Sequence, residues 1–198
     1  MSDKTVKNKP ASVRAKLLNI AKAEHVDFDS ILLRYFQERF LYRLSNSEYN
    51  DNFILKGGLL LVCLKLPKIR PTKDMDFLAD ELNNKTDELE EIMKKICGVE
   101  CNDGVSFTPG SVTSERIRED ADYEGIRIQI EALLGNARKR LRIDIGFGDK
   151  IIPKSSVITF PTLLDEAPAR VKVYSIESII SEKFEAMIKL AMVNSRMK

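Results

Sequence analysis

The sequence predicts an α+β fold in which a small mixed β-sheet is flanked by helices. Residues 125–133 and 141–145 alternate apolar and polar side chains, as half-buried strands do. Residues 28–44 and 87–97 instead carry apolar side chains at three- and four-residue spacing, which is typical of helices packed on one side. A chain of 198 residues can bury one good core, so we expect a single globular unit.

The N-terminal part is predicted to be helical after a disordered start. Residues 1–11 are polar and rich in lysine, so we expect them to be disordered. Apolar side chains then recur at helical spacing over residues 13–21, with Ser12 as the expected N-cap. Residues 12–52 are therefore predicted to be helices that pack on the core.

Three further helices follow from the pattern. One begins behind Asp27 or Asp29 and carries a stripe of aromatic and aliphatic side chains that we expect to be core. Residues 87–97 form the next amphipathic helix. The last helix covers residues 176–192, and Ser175 is its expected cap.

A pair of glycines stands between a short apolar run and a further helix. Residues 53–55 are apolar, Gly57 and Gly58 follow, and residues 59–66 are predicted to be helical up to Pro67. Glycine has no Cβ, so the backbone amides of such a turn can approach a phosphate group closely. A plain turn is the more common meaning of this pair when it occurs alone.

Three aspartates are expected to meet near this turn. Asp74 and Asp76 occupy alternate positions, so both carboxylates project from one face of a strand. The third, Asp144, lies in an alternating segment. Carboxylates this close repel one another unless a cation neutralises them, and Mg²⁺ prefers oxygen ligands. An Asp-x-Asp alone is more often part of a solvated loop, and only its order and spacing after the glycine pair favour a metal site.

A hairpin is predicted to carry Asp144 to the strand of Asp74 and Asp76. Its strands are residues 125–133 and 141–145, joined at residues 135–137. The preceding segment, residues 98–114, contains three glycines and one proline. We therefore expect turns there.

A short strand is expected within that segment, around residues 105–107. Together with the strand after residue 53, the Asp74 strand and the hairpin, it completes the predicted small mixed sheet.

Overall charge gives little information about partners, because 32 basic residues nearly balance 30 acidic ones. Two local clusters are basic and either form solvated faces or contact a polyanion. Their members are Arg34, Arg39 and Arg43 on one helix, and Arg138, Lys139, Arg140 and Arg142 before Asp144.

The remaining composition argues for a cytoplasmic protein. Cys63, Cys97 and Cys101 are expected to be reduced thiols, and no histidine cluster accompanies them as a zinc site would require. The single histidine, His25, lies in a turn and is not expected to act in catalysis. The first ten residues lack the apolar stretch of a signal peptide, and the longest apolar run is too short to span a bilayer, so no membrane partner is expected.

The glycine pair and the aspartates resemble the DNA polymerase β-like nucleotidyltransferase superfamily over residues 55–76. Six motifs in order resemble one branch, the AbiEii/AbiGii toxins of type IV toxin-antitoxin systems, and together they cover nearly all of residues 12–198. They are SVRAKLL at 12–18, ERFLYRL at 38–44, KGG at 56–58, RPTKDMD at 70–76, DIGFGD at 144–149 and EKFEAM at 182–187.

The resemblance implies a Mg²⁺-dependent enzyme that transfers NMP from an NTP to an acceptor, with tRNA acceptor ends as targets in some members. Two Mg²⁺ ions and a cognate antitoxin are implied. The core is expected at residues 53–165, and residues 166–198 are expected to start a C-terminal helical lobe. The family normally continues past the last residue of this sequence with Asp-Phe-Tyr-Asp and further helices, so the sequence is expected to be truncated.

The resemblance also implies roles for individual residues. The three carboxylates would bind Mg²⁺ and act in catalysis, with Asp144 nearest the acceptor hydroxyl. Lys183, on the stripe of the last helix, would contact the nucleotide phosphates, although a stem with its ammonium at the surface is an equal explanation. The phosphate-binding residues would be Gly57, Gly58, Thr72, Lys73 and Lys183, with Arg70 close by.

Two other functions fit the same residues. A catalytically silent remnant would bind RNA or a partner protein through its basic helices. A small-molecule nucleotidyltransferase of the antibiotic-modifying kind shares the glycine pair and the Asp-x-Asp, although the motifs at residues 144–149 and 182–187 argue against it.

Overall fold

The computed structural model describes residues 8–64, 72–120, 123–148 and 154–193. Within these ranges the chain forms five α-helices and a seven-stranded mixed sheet, which confirms the predicted α+β fold. The helices are α1 (Lys9–Glu24), α2 (Phe28–Ser45), α3 (Gly57–Leu61), α4 (Thr86–Cys97) and α5 (Ile176–Val193). The strands are β1 (Phe53–Lys56), β2 (Asp74–Ala79), β3 (Val105–Asp120), β4 (Tyr123–Leu134), β5 (Ala137–Phe147), β6 (Ser156–Thr159) and β7 (Arg170–Val173).

The strand order places β2 at the centre of the sheet. Across the sheet the order is β3-β4-β5-β2-β1-β7-β6. β2 is parallel to β5 on one side and antiparallel to β1 on the other, while β1 is parallel to β7. The predicted hairpin of β4 and β5 is confirmed, and it brings β5 beside β2. A central strand bonded on both edges is a rigid support for functional side chains.

One face of the sheet forms the core. Alternate side chains of β2, β4 and β5 are fully buried on this face, as the two-residue period requires. These side chains are Met75, Phe77, Ile126, Ile128, Ile130, Leu141, Ile143 and Ile145. α2 and α4 pack with this core, and the ring of Phe40 in α2 meets that of Phe107 edge-on with 5.8 Å between centroids. The expected aromatic core of α2 is confirmed, and Asp27 is its N-cap.

α1 begins earlier than the sequence indicates. Its N-cap is Asn8, whose side chain accepts a hydrogen bond from Ala11 N, so the expected cap at Ser12 is wrong. Residues 9–11 are helical rather than disordered, because Pro10 is tolerated in the first turn of a helix.

The helix after the glycine pair is also shifted. α3 starts at Gly57 and ends at Leu61, and a 3₁₀ turn follows over Val62–Leu64. The predicted helix over residues 59–66 is therefore too late at its start. Pro67 lies outside the described residues.

β3 is much longer than the predicted strand at residues 105–107. Turns are expected over residues 98–114, but Pro109 and Gly110 of this segment lie inside β3, where the register against β4 shifts between Thr108 and Thr113. A bulge absorbs residues that would disrupt regular pairing, so the strand continues on either side.

The sheet continues beyond residue 165, where the C-terminal helical lobe is expected to start. β7 covers Arg170–Val173 and pairs with β1, so residues beyond 165 complete the core. Tyr174 N donates a hydrogen bond to Leu55 O at 3.0 Å. The last helix follows this strand directly, and Ser175 Oγ caps it by accepting a hydrogen bond from Ser178 N, as predicted.

Cys63, Cys97 and Cys101 are free thiols. Burial raises the pKa of Cys97 to about 12 and that of Cys63 to about 11, so neither is a reactive thiolate at neutral pH. In the parts of the chain given above, no helix combines the length and the apolar character needed to cross a bilayer.

Candidate active site

The three predicted carboxylates lie on neighbouring strands. Asp74 and Asp76 occupy alternate positions of β2, on the face opposite the buried Met75. The register pairs Asp76 with Asp144 and Asp74 with Arg142 across β2 and β5. The prediction that the hairpin carries Asp144 beside β2 is therefore confirmed.

A row of charged side chains crosses five strands at this point, and we call it the charge row. Its members are Glu115, Arg127, Asp144, Asp76 and Lys56, each paired in register with the next. All five project from the face opposite the core, because each sits at the position directly across from its neighbour. The two carboxylates at the centre are thus bordered by a cation on each side.

Arg127 holds Asp144 by a bidentate contact. Arg127 Nε donates to Asp144 Oδ1 at 2.8 Å, and Nη2 donates to Oδ2 at 2.8 Å. The hydrogen bond to Asp144 raises the pKa of Arg127 above its ordinary value. Asp144 is 7% exposed, and a guanidinium fork of this geometry is among the strongest partners of a carboxylate. Glu115 Oε1 lies farther off, 3.9 Å from Arg127 Nη1.

A looser arginine contact neutralises Asp74. Arg142 Nη1 lies 3.4 Å from Asp74 Oδ1, and both side chains are partly exposed. Solvent screens such a pair, so it constrains Asp74 less than Arg127 constrains Asp144.

Lys56 places a buried ammonium at the other end of the pair of carboxylates. It is 8% exposed and is the register partner of Asp76. Its Nζ lies 3.8 Å from Glu182 Oε1 in α5 and 5.8 Å from the centre of the Tyr174 ring. The sequence reasoning gave this lysine no role, although a charged residue that ends an apolar strand before two glycines was a signal for one.

Gly57 lies directly against the carboxylate of Asp76. Its φ of +66° lies in the left-handed region that favours glycine. A Cβ at this position would overlap Asp76 Oδ2 and would lie 2.7 Å from Asp76 Cγ. The first glycine of the pair is therefore required both by the backbone conformation and by the carboxylate that lies against it.

Gly58 and Thr72 form the next contact of the turn. A Cβ on Gly58 would lie 3.1 Å from Thr72 Oγ1. Thr72 Oγ1 donates a hydrogen bond to Asp74 O at 3.1 Å, which ties this side chain to the start of β2. The turn and the Asp74 strand are thus packed as one unit.

Gln37 of α2 supports the start of β2 from the core side. Gln37 Nε2 donates to Thr72 O at 3.3 Å and lies 3.4 Å from Lys73 O, and the residue is 1% exposed. A buried amide satisfied by two carbonyls positions the segment before Asp74. Its signal in the sequence is weak, because it is only a polar side chain on a largely apolar helix.

The structure shows few contacts for the other residues predicted to bind phosphate. Lys73 is exposed at the edge of the site. Lys183 lies in α5, but its side chain is outside the described residues, as is Arg70. The observed contact from α5 to the charge row is made by Glu182, the residue before Lys183.

Two of the three arginines in the basic cluster of α2 do not lie on the surface. Arg39 and Arg43 are buried, so they cannot contact a polyanion. Arg43 Nη1 donates to Asp103 Oδ2 at 2.8 Å and Nη2 donates to Val105 O at 2.8 Å. Burial alone would raise the pKa of Asp103, but the hydrogen bonds from Arg43 lower it below its ordinary value. The arginines were misassigned because Asp103 is 60 residues away in sequence from Arg43.

The two carboxylates of the charge row and the neighbouring Asp74 form a donor set whose chemistry suits Mg²⁺. Asp74, Asp76 and Asp144 offer carboxylate oxygens from two paired strands, and oxygen is the ligand that Mg²⁺ prefers. Among the described residues, however, no three acidic, histidine or cysteine side chains are arranged to hold a metal ion. Arg127 and Arg142 occupy two of the carboxylates, so metal binding requires exchange of these contacts and stays a prediction.

The comparisons with known proteins identify the family. The family model described as nucleotidyl transferase AbiEii toxin, type IV toxin-antitoxin system, matches residues 39–198. No curated protein matches the sequence. A solved structure from H. pylori, described as a candidate nucleotidyltransferase, is 18% identical with a TM-score of 0.44 and covers 73% of this chain and 53% of that one.

A second structure, JHP933 from Helicobacter pylori, is 15% identical with a TM-score of 0.43 and covers 73% of this chain and 52% of that one. This chain spans about half the length of these two structures. The family model covers well over half of the sequence and includes the whole charge row. The chain therefore belongs to the AbiEii nucleotidyltransferase toxin family of type IV toxin-antitoxin systems.

Proposed function

We propose that this chain is a Mg²⁺-dependent nucleotidyltransferase that transfers NMP from an NTP to an RNA acceptor, with tRNA as the acceptor. The observation that carries the proposal is the register of Asp76 against Asp144, with Gly57 directly beside Asp76. Carboxylates and a close glycine turn together suit a metal and a triphosphate, whereas either feature alone would not.

The carboxylates divide the work in this proposal. Asp74, Asp76 and Asp144 would hold the metal, and Asp144 would also lie nearest the acceptor hydroxyl. Bound Mg²⁺ would offset charge on the phosphates and favour deprotonation of the hydroxyl. Lys56 adds a fixed positive charge one strand from Asp76, where a buried ammonium has more effect than an exposed one.

The glycine turn receives the triphosphate. Gly57 and Gly58 offer backbone amides with no Cβ in front of them, and Thr72 lies against the second glycine. Lys73 is exposed at the same edge and can turn towards a phosphate. Lys183 is proposed as a further phosphate contact on the strength of the family resemblance.

The transfer itself needs no covalent enzyme intermediate. The acceptor oxygen bonds to the α-phosphorus, the bond from that phosphorus to the bridging oxygen breaks, and pyrophosphate leaves. Asp144 accepts the hydroxyl proton after its fork with Arg127 opens. The protein contributes mainly position and charge, as is usual in phosphoryl transfer.

The tRNA acceptor and the antitoxin are proposed on the strength of the family resemblance. The resemblance implies tRNA acceptor ends as a target, and a type IV system implies a cognate antitoxin that neutralises the toxin. Both are part of the proposal.

Label transfer tests the proposal. The chain is incubated with Mg²⁺, total tRNA and each of the four α-labelled NTPs in turn, and label on tRNA is counted. We expect label from at least one NTP, and a loss of at least about a hundredfold in Asp76→Asn, because a metal ligand is removed. Asp29→Asn is the matched control, since Asp29 pairs with Lys139 away from the charge row.

Three results would contradict the proposal. Label that is unchanged in Asp76→Asn would show that the charge row does not carry the reaction. If none of the four NTPs labels the tRNA, with folded protein and intact tRNA, the result would favour the silent remnant. Label on a small molecule but not on RNA would favour a small-molecule nucleotidyltransferase.

A further inference from the structure

Three arginines form a line on the face of the sheet that carries the carboxylates. Arg138, Arg140 and Arg142 occupy alternate positions of β5 and share the face of Asp144, which comes two residues later. All three are exposed. At about 3.3 Å per residue, successive guanidinium stems start about 6.6 Å apart, and Arg138 lies about 20 Å along the strand from Asp144.

Among the described residues, each of these arginines makes one long polar contact. Arg138 Nη1 lies 3.4 Å from Glu131 Oε2, and Arg140 Nη1 donates to Gln129 Oε1 at 3.3 Å. Arg142 makes the 3.4 Å contact to Asp74. Exposed pairs of this kind contribute little to stability, in contrast to the bidentate fork on Asp144. The three guanidinium groups can therefore exchange partners at low cost.

Lys139 does not belong to the line of arginines, because it projects from the other face of β5. It lies between Arg138 and Arg140 in sequence but projects to the opposite face, where its Nζ lies 2.6 Å from Asp29 Oδ2. The basic cluster of the sequence thus divides into three arginines beside the carboxylates and one lysine engaged elsewhere.

We propose that Arg138, Arg140 and Arg142 bind the phosphates of the acceptor RNA and guide its end to Asp144. The proposal rests on the proposed function, because it takes RNA as the acceptor. Guanidinium groups bind phosphates bidentately, and a row of them spaced along a strand suits a linear polyanion. The line of three arginines is longer than the three phosphates of one nucleotide.

An acidic protein is the rival partner. RNA is favoured because the line continues directly into the carboxylates, where a group that ends in a hydroxyl has to lie. Glu131 beside Arg138 and Asp74 beside Arg142 show that acidic groups can also pair with these arginines, so the experiment includes an acidic polypeptide.

Binding of RNA without chemistry tests the line. A 5′-fluorescein-labelled RNA hairpin with a single-stranded 3′ end is titrated with protein, without NTP or Mg²⁺, at several salt concentrations, and anisotropy is recorded. The variants are Arg140→Gln and the double variant Arg138→Gln/Arg140→Gln, with Lys139→Gln as the control that removes one charge from the opposite face. Thermal unfolding verifies that each variant is folded.

We expect Arg140→Gln to weaken binding about fivefold, and the double variant more. Each lost arginine should lower the slope of log K against log salt by about 0.7 to 0.9. Lys139→Gln should bind as the wild type does. Equal binding and equal slopes in all four proteins would overturn the inference, as would an equal loss in Lys139→Gln. Competition by polyglutamate as strong as that by unlabelled RNA would overturn it in favour of an acidic protein.

The RNA-binding test and the label-transfer test can fail independently of each other. RNA that binds through the arginines but receives no label would refute the transferase proposal and leave the line intact. Label transfer to tRNA with no effect of Arg140→Gln on RNA binding would support the transferase proposal and refute the role of the arginines.

Discussion

Gly57→Ala is expected to damage the site more than the fold. The φ of +66° costs an L-residue about 1 to 2 kcal/mol, and the added Cβ also overlaps Asp76 Oδ2. Asp76 can escape the overlap only by moving its carboxylate, which removes it from the position it shares with Asp144. We therefore expect the variant to lose Mn²⁺ binding in the presence of nucleotide.

Gly148→Ala is the matched control for the backbone. Its φ of +84° imposes a similar strain, but no described atom lies within 4 Å of the added Cβ. Urea unfolding should show a loss of about 1 to 2 kcal/mol for Gly148→Ala and at least about 1 kcal/mol more for Gly57→Ala. Mn²⁺ binding should survive in the control.

A double-mutant cycle separates overlap from strain. In an Asp76→Ala background the carboxylate is gone and only the Cβ of residue 76, 2.9 Å from the added Cβ, stays close. Gly57→Ala should therefore cost about 1 kcal/mol less there than in the wild type. Gly57→Ala that binds Mn²⁺ and nucleotide as tightly as Gly148→Ala does would refute the reasoning. So would a cycle with no coupling between the two positions.

Three further changes test other parts of the structure. Arg127→Ala should tighten Mn²⁺ binding about tenfold by electron paramagnetic resonance, because Asp144 loses the partner that competes with the metal; weaker binding would show that Arg127 positions the carboxylate instead. Arg43→Ala should cost about 3 to 5 kcal/mol in urea unfolding, because it removes the bidentate partner of the buried Asp103; a loss under about 1 kcal/mol would contradict this. Burial raises the pKa of Glu38 from 4.5 to about 7, so its stabilising effect is complete below about pH 4.5 and is lost as the pH rises through 7. Glu38→Gln should therefore gain stability relative to the wild type between about pH 5 and 8, by about 3 kcal/mol at most, and parallel pH profiles would exclude the effect.

Regular patterns allowed much of the fold to be predicted. The alternation in β4 and β5 predicts which side chains share a face, and the turn between them predicts the hairpin that carries Asp144. The pairing of β2 with β5 confirms the expected position of Asp144 beside β2. Helices α2 and α4 were equally clear, because their apolar stripes are long. The length of β3 could not be derived, since Pro109 and Gly110 lie within a bulge that only pairing with β4 stabilises.

Other errors concern contacts between distant parts of the chain. Arg43 appeared to be a surface charge because its partner Asp103 comes from a loop far along the sequence. Gln37 reaches the segment before β2 because α2 packs on the sheet against β5 and β7. Lys56 reaches the site because β1 lies beside β2. Local periodicity contains no information about such partners.

The most direct test is whether the three carboxylates form one site for metal and nucleotide. Mn²⁺ is titrated into the protein with a non-hydrolysable ATP analogue and followed by electron paramagnetic resonance, in the wild type, Asp76→Asn, Asp144→Asn and the control Asp29→Asn. We expect nucleotide-dependent Mn²⁺ binding in the wild type and the control, weakened at least about tenfold in both site variants. Equal Mn²⁺ binding in all four proteins would contradict the assignment of the charge row as the catalytic site.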